Sequence, residues 1–326
     1  MTMHRRNKRA GLTAVTAVVA AAAAAALIPF YGSASTPKPK TESIVYDPGP
    51  KQRCYSVSDE AGGKNYGNRS TDCKNIDNAN RVNSRCTWFG YTSRRGVECP
   101  AWRFVTYNWD ESKLRKYPGF DHQVQGPSGS PLKLVLQNNS RNLKTAQNKQ
   151  NCELKEVTFS YEYIGSSLKR PAGGGVYQFS DGRVNVAYDA LVKQSGGFSC
   201  SEKRAILTTD FIYKTARGTN VISVVHFDPG SFMKPNADGV LWTNKCRTGA
   251  GKPDGCRVTI HGQRLQPGKK SRISLDFTAI AKKYAKYLGN DPIPKKSQIE
   301  SVQIVNSAKG ADLKAEVSRA DVTLTK

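Results

Sequence analysis

The sequence is short of acidic residues and of long apolar segments. It contains 26 Asp and Glu residues against 50 Lys and Arg residues, so its formal net charge is +24 at pH 7. One apolar run stands out, at residues 12–27, and it consists mostly of alanine. That run is too short and too weakly hydrophobic for a membrane anchor, and no later segment reaches spanning length. The sequence therefore predicts a basic protein with no transmembrane segment.

Several motifs of catalysis and cofactor binding are also missing. No Gly-x-Ser-x-Gly pentapeptide is present to hold a nucleophilic serine on a sharp turn. The glycines at residues 173–175 are not followed by Lys-Ser or Lys-Thr, which excludes a phosphate-binding loop of that type. We therefore expect no cofactor. A structural calcium at Asp228, Asp238 and the Asp181-Gly182 turn stays open as an alternative, because calcium prefers oxygen ligands.

The first residues have the pattern of an export signal. A basic segment precedes the apolar run, and the small residues Gly32, Ser33 and Ala34 follow it. This order predicts a secretory signal peptide at residues 1–34 and a secreted, extracellular protein. Cleavage after Ala34 would remove four basic residues and no acidic one, leaving 292 residues with a formal net charge of +20.

Eight cysteines follow the predicted cleavage site, and none has Cys-x-x-Cys spacing or a nearby histidine that would indicate zinc. An even number in an oxidising compartment predicts four disulfides, although sequence does not determine their connectivity. Pairing between neighbours is the simplest scheme. It is best supported for the last pair, which encloses a polar, glycine-rich loop with no apolar residues to hold it. The eight are Cys54, Cys73, Cys86, Cys99, Cys152, Cys200, Cys246 and Cys256.

Composition divides the mature chain into three parts. Residues 35–53 are rich in Pro, Lys, Thr and Ser, which predicts a flexible leader. Residues 54–110 carry four cysteines and short apolar runs, and form a loop-rich region. This region has little core of its own, so we expect a decorated edge of the main domain, though disulfides leave a separate unit open. Residues 111–326 form the main domain.

Strand patterns dominate the main domain, with polar and apolar residues alternating between turn residues. Most gaps between strands are too short for crossover helices. The pattern predicts a mainly β fold: an antiparallel β-sandwich of the jelly-roll type, with one short helix at residues 276–289 and a disulfide-stapled N-terminal region. Predicted strands lie at residues 132–136, 157–163, 184–188, 205–213, 221–227, 257–260, 299–305, 313–317 and 321–324.

The order of elements from residue 132 to residue 324 resembles the concanavalin A-like jelly rolls, which include secreted glucanases and alginate-lyase-like enzymes. The resemblance is carried by an inner strand at residues 220–227, a stapled loop, a strand at 256–261, a helix and a strand at 299–306. It implies a fold more than an activity. Where the glucanase branch has a catalytic Glu, this chain has Asn306. Where the lyase branch has Gln-x-His, it has Val224-Val225-His226.

Three histidines follow the predicted cleavage site, and His226 is the sharpest catalytic candidate among them. It ends the predicted inner strand, where the groove of a sandwich would open. A polysaccharide lyase needs a base beside a uronate carboxylate and an acid for the leaving oxygen, and a His with a nearby Tyr supplies both. Tyr188, Tyr213 and Tyr161 are the candidate partners, and the sequence does not choose among them. The alternative is a hydrogen-bonded histidine in the core.

Aromatic and arginine residues crowd the cysteine-rich region, a combination typical of sugar binding. Flat rings stack on sugar faces, and guanidinium groups pair with carboxylate, sulfate or phosphate. The alternative is that these rings form a small core. The candidate binding residues are Trp88, Tyr91, Arg94, Arg95, Trp102, Arg103 and Trp109.

These observations predict a secreted, monomeric protein that binds an anionic or wall-associated polysaccharide in a jelly-roll groove. The positive charge would raise the local concentration of anionic partners. Two alternatives remain open. One is a polysaccharide lyase or glycoside hydrolase that uses His226 and a nearby Tyr. The other is a basic secreted protein that binds nucleic acid, anionic surfaces or another protein through charge alone.

Overall fold

Strands dominate the computed structural model, which describes residues 39–51, 56–59, 64–68, 102–107, 119–127, 129–142, 157–164, 168–169, 171, 173–196, 204–230, 234–244, 246, 248–249, 252–253 and 255–326. The predicted signal peptide lies outside the described residues, as does most of the cysteine-rich region. In chain order the described strands are β1 (Thr41–Ser43), β2 (Ser56–Asp59), β3 (Lys64–Asn68), β4 (Arg103–Tyr107), β5 (Phe120–Gln125), β6 (Lys133–Asn139), β7 (Val157–Ile164), β8 (Arg183–Gly196), β9 (Arg204–Thr215), β10 (Gly218–Phe227), β11 (Val240–Asn244), β12 (Thr248–Gly249), β13 (Lys252–Pro253), β14 (Arg257–His261), β15 (Ser271–Asp276), β16 (Gln298–Lys309) and β17 (Asp312–Thr325).

Among the described residues these strands build two large sheets. The six-stranded sheet has the order β15-β8-β17-β6-β5, with β1 paired to β17. The nine-stranded sheet has the order β11-β14-β10-β9-β16-β7-β4-β2-β3. The strands of the cysteine-rich region, β2, β3 and β4, therefore extend one edge of the nine-stranded sheet.

The two sheets pack face to face around a large apolar core. Tyr188 of β8 and Thr209 of β9 join them, with 2.6 Å between the two hydroxyl oxygens. At the other end Asn306 of β16 donates to the carbonyls of Leu136 and Leu313 in the opposite sheet, at 2.9 and 3.0 Å. These contacts confirm the predicted mainly β sandwich with one short helix and a disulfide.

Pairing is antiparallel, as predicted, with two exceptions in the described sheets. Strand β14 lies parallel to β10, and β2 lies parallel to β4. The chain leaves β10, forms β11 and then returns beside β10 as β14, which fixes the parallel direction. The two predicted strands at residues 313–317 and 321–324 are one strand, β17, with an irregular register between Ser318 and Asp321.

The predicted helix begins where the sequence places it and ends early. Helix α1 (Phe277–Lys283) starts at Asp276, whose side chain accepts a hydrogen bond from the backbone N–H of Ala279. A 3-10 turn (Ala285–Tyr287) follows, and Gly289 then adopts a φ of +85°, a region that glycine enters without steric cost. No helix within the described residues is long and apolar enough to cross a membrane.

The interpretation of residues 35–53 as a flexible leader needs correction for the part that the structure describes. Strand β1 pairs with the C-terminal strand β17, and the side chains of Ile44 and Val45 are fully buried in the core. Asp47 caps the backbone N–H of Lys51 at 3.0 and 3.1 Å. Because Lys and Pro are frequent in the surrounding sequence, the short apolar pair Ile44-Val45 gave no recognisable pattern, although it packs in the core of the sandwich.

The pairing of Cys246 with Cys256 is confirmed. This disulfide closes the loop between β11 and β14, which contains the two-residue strands β12 and β13. Cys256 is buried against the core cluster. The other six cysteines lie outside the described residues, so their predicted pairing stays a prediction.

Candidate functional site

The outer face of the nine-stranded sheet carries an open cleft of about 660 Å³. It crosses seven neighbouring strands, from β11 at one end to β4 at the other. At about 4.8 Å between strands, that path is roughly 29 Å long. The cleft is lined by Tyr107, Thr158, Arg204, Ile206, Thr208, Asp210, Ser223, Trp242, Arg257, Thr259, Gln303, Val305 and Ser307. We call it the sheet groove.

One row of paired residues runs across this face. Each member lies opposite the next in the strand register, and directly paired residues point to the same side of a sheet. In order from β11 to β4 the row is Trp242, Thr259, Ser223, Asp210, Gln303, Glu162 and Arg103. An aromatic ring therefore stands at one end, and two carboxylates flank an amide in the middle.

Alternation along β7 explains how the polar side of this row arises. Phe159, Tyr161 and Tyr163 point into the core, where all three are buried. Because side chains alternate along a strand, the intervening Ser160 and Glu162 point to the groove face. The sequence of β7 thus fixes both the core contact and one charged residue below the groove.

Glu162 is enclosed by donors beneath the floor of the sheet groove. Arg103 binds its Oε2 atom through Nε at 2.8 Å and Nη2 at 2.7 Å. Ser160 donates to its Oε1 atom at 2.7 Å, and the Tyr107 hydroxyl donates to the same oxygen. Glu162 is fully buried, so its carboxylate does not reach the groove surface. The ion pair with Arg103 compensates its charge.

Asp210 is held by a second arginine, two strands away from Glu162. Arg257 donates from Nη2 to Oδ2 of Asp210 at 3.2 Å and to the hydroxyl of Ser223 at 2.9 Å. Thr208 donates to Oδ1 of Asp210 at 3.0 Å. The arginine side chain is 40% exposed, so this ion pair forms part of the groove surface.

Trp242 gives the sheet groove an exposed ring at the β11 end. Among the described residues it is the large apolar side chain that remains open to solvent, at 49%. The guanidinium of Arg257 lies over this ring at 5.8 Å from its centroid, within the range of a cation–π contact. The contact orients Trp242 while leaving ring surface available to a ligand.

The predicted catalytic residues lie in the interior. His226 and Tyr188 do come together, but between the two sheets, where both are almost fully buried. Thr209 joins them, 2.6 Å from the Tyr188 hydroxyl and 3.0 Å from His226 Nε2. Tyr213 is also buried and donates instead to the carbonyl of Pro292 at 2.6 Å. A polysaccharide cannot contact side chains enclosed in this way.

The environment of His226 favours its neutral form. Its Nδ1 atom lies 3.2 Å from the carbonyl of Gln263, which assigns the proton to Nδ1 and leaves Nε2 to accept from Thr209. Burial lowers the pKa of His226 to about 4, and the hydrogen bond to Gln263 offsets this only in part. Burial also raises the pKa of Tyr188 well above its usual value and that of Tyr213 to about 12. All three side chains are therefore neutral at pH 7.

Five of the predicted binding residues, Trp88, Tyr91, Arg94, Arg95 and Trp109, lie outside the described residues. The other two, Trp102 and Arg103, lie on opposite sides of the sheet. Trp102 is buried in the core, with its ring centroid 5.5 Å from that of Phe104 and 5.4 Å from that of Tyr161. Arg103, its neighbour in sequence, points to the opposite side of the sheet and binds Glu162. The structure therefore places a core residue and a groove residue side by side.

The acidic residues considered for calcium lie apart in this structure. Asp238 binds Lys286 at 2.7 Å, and Asp181 accepts the backbone N–H of Gln178 at 2.9 Å. Within the described part of the chain, no group of three or more His, Cys, Asp or Glu side chains is placed to hold a metal ion.

Four residues were not singled out from the sequence: Asp210, Trp242 and Arg257 in the lining of the groove, and the buried Glu162 beneath it. For Glu162 a signal exists, because it occupies a polar position in a clear alternation. For Asp210 the signal is weak, since β9 carries buried residues on both sides and the adjacent Thr209 is buried as well. Strand β11 has only five residues, which explains why Trp242 gave no strand pattern.

Comparison with protein-family models gives no match, and comparison with curated proteins gives none either. Solved structures give weak similarities. A family 11 xylanase from Neocallimastix patriciarum has 12% identity and a TM-score of 0.36, over 64% of this chain and 98% of that one. A family 12 xyloglucanase from Bacillus licheniformis has 11% identity and the same score, over 64% and 98%. A cellulase derived from that of Rhodothermus marinus has 10% identity and a score of 0.36, over 63% and 86%. Similarity at this level does not indicate a shared activity.

Proposed function

We propose that this protein binds a polysaccharide chain in the sheet groove. The observation that carries the proposal is the exposed ring of Trp242 at one end of a row of hydrogen-bonding side chains about 29 Å long. Sugar chains offer apolar ring faces to aromatic side chains and hydroxyls to polar ones. The long, open shape of the groove favours a polymer over a small molecule.

The polar lining suits hydroxyl groups in particular. Gln303 lies in the middle of the row, and its amide donates to the hydroxyls of Tyr107 and Ser301 at 3.2 and 3.3 Å. Thr158 and Thr208 add partly exposed hydroxyls on the two neighbouring strands. These groups donate and accept, as the hydroxyls of a sugar do, so they can bind a chain without any net charge.

Binding without cleavage is the form of the proposal that the two carboxylates favour. Glycoside hydrolysis requires one carboxyl group to protonate the leaving oxygen and another to act as nucleophile or base. Glu162 is fully buried and bound by Arg103, while Asp210 is bound by Arg257 and Thr208. Both are engaged as structural ion pairs. His226 and Tyr188, the sequence-based candidates for a lyase, have no exposed surface near the groove.

Secretion and recognition of an anionic glycan belong to the same proposal. They rest on the signal-like residues 1–34 and on the net charge of +24. Within the groove, Arg103 and Arg257 are each paired with a carboxylate, so its paired charges largely cancel. The lining also contains Arg204, so a preference for anionic chains has to come from that residue or from another part of the surface.

The test is a binding survey with the mature protein and a panel of neutral and acidic polysaccharides. For the neutral chains, Trp242→Ala should weaken binding about tenfold or more, because it removes the exposed ring on which a sugar can stack. Trp242→Phe, which keeps a ring, should retain most of the affinity. Thr41→Ala, an exposed position on strand β1 of the other sheet, is the location control and should bind normally.

Each incubation should also be assayed for new reducing ends and for the absorbance of unsaturated sugars. New reducing ends that form with the wild type but not with Asp210→Asn would indicate hydrolysis in the groove and would replace the binding proposal. Unsaturated product that disappears in His226→Gln would support the lyase alternative. Absence of both binding and product across the panel would remove the whole proposal. Equal affinity for every polyanion with a steep salt dependence would favour binding by charge alone.

A further inference from the structure

The outer face of the six-stranded sheet carries five cationic side chains gathered around two carboxylates. We call this group, Lys133, Lys193, Lys270, Arg272 and Arg319 with the carboxylates of Asp189 and Glu316, the cationic cluster. A cavity of about 400 Å³ lies over it, lined among others by Lys133, Asp189, Lys270, Glu316 and Arg319. Because this sheet covers the other side of the sandwich, the cluster faces away from the sheet groove.

Asp189 is the centre of one half of the cluster. Its carboxylate is 2% exposed and accepts from Arg319 Nε at 2.7 Å, Lys270 Nζ at 3.1 Å and Arg272 Nη1 at 3.2 Å. Burial acts to raise the pKa of Asp189, but hydrogen bonds from Arg319, Lys270 and Arg272 outweigh it and lower that pKa. Three cations thus surround one buried anion, so two positive charges are left over.

Glu316 is the centre of the other half. Lys193 lies 2.8 Å and Lys133 lies 3.6 Å from its Oε1 atom. Glu316 is 12% exposed, whereas the two lysines are 46% and 41% exposed. One further positive charge is left over, and the cluster as a whole has a formal charge of +3.

The two carboxylates are largely buried and the five cationic side chains are exposed, so this surface is positively charged. The five cationic side chains are between 41% and 61% exposed. The exposed ammonium and guanidinium groups on this face are therefore held in place by the carboxylates beneath them. Arg319 is fixed further by its own backbone: its φ is +52°, and its carbonyl accepts from Arg272 at 3.1 Å. Groups held in place in this way lose little side-chain entropy when an anion binds.

We propose that the cationic cluster is a second binding surface, which takes the carboxylate or sulfate groups of an anionic polysaccharide. The amides of Gln123 and Gln125 lie on the same face, and Gln125 pairs with Lys133 across the strands. Both amides are exposed. Gln125 donates to Gln123 at 3.2 Å and Gln123 donates to Asp121 at 2.5 Å, so the second N–H of each amide can bind sugar hydroxyls next to the charged groups. Charge recognition and hydroxyl recognition are thus adjacent, as a charged sugar chain requires.

A nucleic acid fits the cluster less well. A protein on duplex DNA typically neutralises several phosphates at once, about six to ten in a sizeable interface. The cluster has an excess of three charges. Single-stranded nucleic acid is bound by stacking its bases on aromatic rings, and the described residues of this face contribute no exposed aromatic ring.

This surface does not depend on the sheet groove, because different strands and different side chains form it. Together, the two surfaces would let one molecule contact two polysaccharide chains, or two turns of one chain, on opposite sides of the sandwich. The groove would select for sugar faces and the cluster for charge.

The experiment compares two triple variants that change net charge equally. Lys133→Gln/Lys193→Gln/Lys270→Gln removes the excess of three charges and keeps Arg272 and Arg319 on the buried Asp189. Lys282→Gln/Lys283→Gln/Lys296→Gln removes three exposed lysines in and after α1. Affinity is measured by calorimetry for polygalacturonate, for its uncharged methyl ester and for dextran sulfate against dextran, at about 50 mM and about 200 mM salt.

We expect the cluster variant to bind polygalacturonate or dextran sulfate at least tenfold more weakly, and the α1 variant to change affinity less than twofold. Comparing the affinity for polygalacturonate with that for dextran sulfate shows whether the cluster prefers carboxylate or sulfate. The uncharged methyl ester and dextran should bind no better to wild type than to the cluster variant. Trp242→Ala should leave polyanion binding unchanged, so failure of the groove proposal and failure of this one are distinguishable. Equal losses in both triple variants would overturn the proposal in favour of net charge alone. Tighter, cluster-dependent binding of duplex DNA would overturn it in favour of a nucleic-acid surface.

Discussion

Arg257 reaches across strand β10 to bind Asp210, with 3.2 Å between Nη2 and Oδ2. Ser223 lies on the strand between them, and its hydroxyl accepts from the same guanidinium at 2.9 and 3.2 Å. The guanidinium also lies over the ring of Trp242. One arginine therefore joins the aromatic end of the sheet groove to its central carboxylate, and the groove floor is held by this link.

We expect a measurable coupling between Asp210 and Arg257. Asp210→Asn and Arg257→Gln each break the pair, and the double variant should be more stable than the sum of the two single effects predicts. The coupling free energy should be about 1 kcal/mol, because the arginine is partly exposed and the carboxylate mostly buried. Urea unfolding of the four proteins in the cycle gives this value.

The pair Lys286–Asp238 is the matched control. Its nitrogen–oxygen distance is 2.7 Å, but both side chains are well exposed, at 61% and 44%. The same cycle there should give a smaller coupling than at Asp210 and Arg257, because solvent screens an exposed pair. Equal coupling at the two sites would mean that the groove pair contributes no more than an ordinary surface pair.

His226 should make the protein sensitive to mild acid. Its pKa is lowered to about 4 in the folded state, while an unfolded histidine titrates near 6.5. The unfolded chain therefore binds the proton first, and stability is lost as the pH falls from about 6.5 to about 4. A difference of this size corresponds to about 3 kcal/mol in the free energy of unfolding.

The comparison that isolates this effect is His226→Gln, which stays neutral and can still hydrogen-bond. The loss of unfolding free energy between pH 7 and pH 4 should be about 3 kcal/mol larger in wild type than in the variant. His261→Gln, at a partly exposed ring, is the control and should follow wild type closely. Parallel pH profiles for wild type and His226→Gln would show that His226 titrates normally.

The disulfide between Cys246 and Cys256 should stabilise the edge of the nine-stranded sheet. It closes a loop with a sequence separation of 10 residues, for which the entropy model predicts about 3 kcal/mol. The paired variant Cys246→Ala/Cys256→Ala should therefore unfold at lower urea concentration. It should also bind glycans more weakly, because β11 carries Trp242.

Urea unfolding and binding of that variant can be measured on the same preparation. If stability falls while affinity for polysaccharides is retained, the loop is a staple that does not position the groove. Unchanged urea unfolding would contradict the predicted contribution itself.

Ile44 should contribute to the core although it lies in the segment whose composition resembles a leader. Its side chain is fully buried. Ile44→Ala should reduce the free energy of unfolding by about 2–5 kcal/mol, the range for a large buried aliphatic residue. Thr41→Ala, an exposed position three residues earlier in the same segment, should change it by less than about 0.5 kcal/mol. Equal small effects at the two positions would restore the leader interpretation.

Local patterns in the sequence are sufficient for much of the fold. The alternation in β7 sets Phe159 and Tyr161 inward and leaves Glu162 on the opposite side, because the side-chain period of a strand is two. Asp276 and Gly289 mark the start of α1 and the end of its last turn through capping and a positive φ. The polar loop between Cys246 and Cys256 indicated their pairing. Each of these features depends on neighbours along the chain.

The face of β10 is a feature that local pattern leaves undecided. Val224, Val225 and His226 are all buried, so alternation gives no inner and outer side. The sequence placed His226 beside an open groove, whereas packing against Tyr188 of the opposite sheet turns it inward. A strand that is buried on both faces obtains its orientation from the layers around it.

Sequence alone determined the sandwich class, the positive charge and the positions of strands β6 to β10, β14, β16 and β17, because these follow from composition and from the residue pattern between turns. Tertiary structure decided which strands are neighbours. It brought Glu162 and Asp210, 48 residues apart, to either side of Gln303, and it gathered Lys133, Lys270 and Arg319 around buried carboxylates on the other face. Strand order in a sheet depends on contacts between distant segments, and no local window of the chain contains that information.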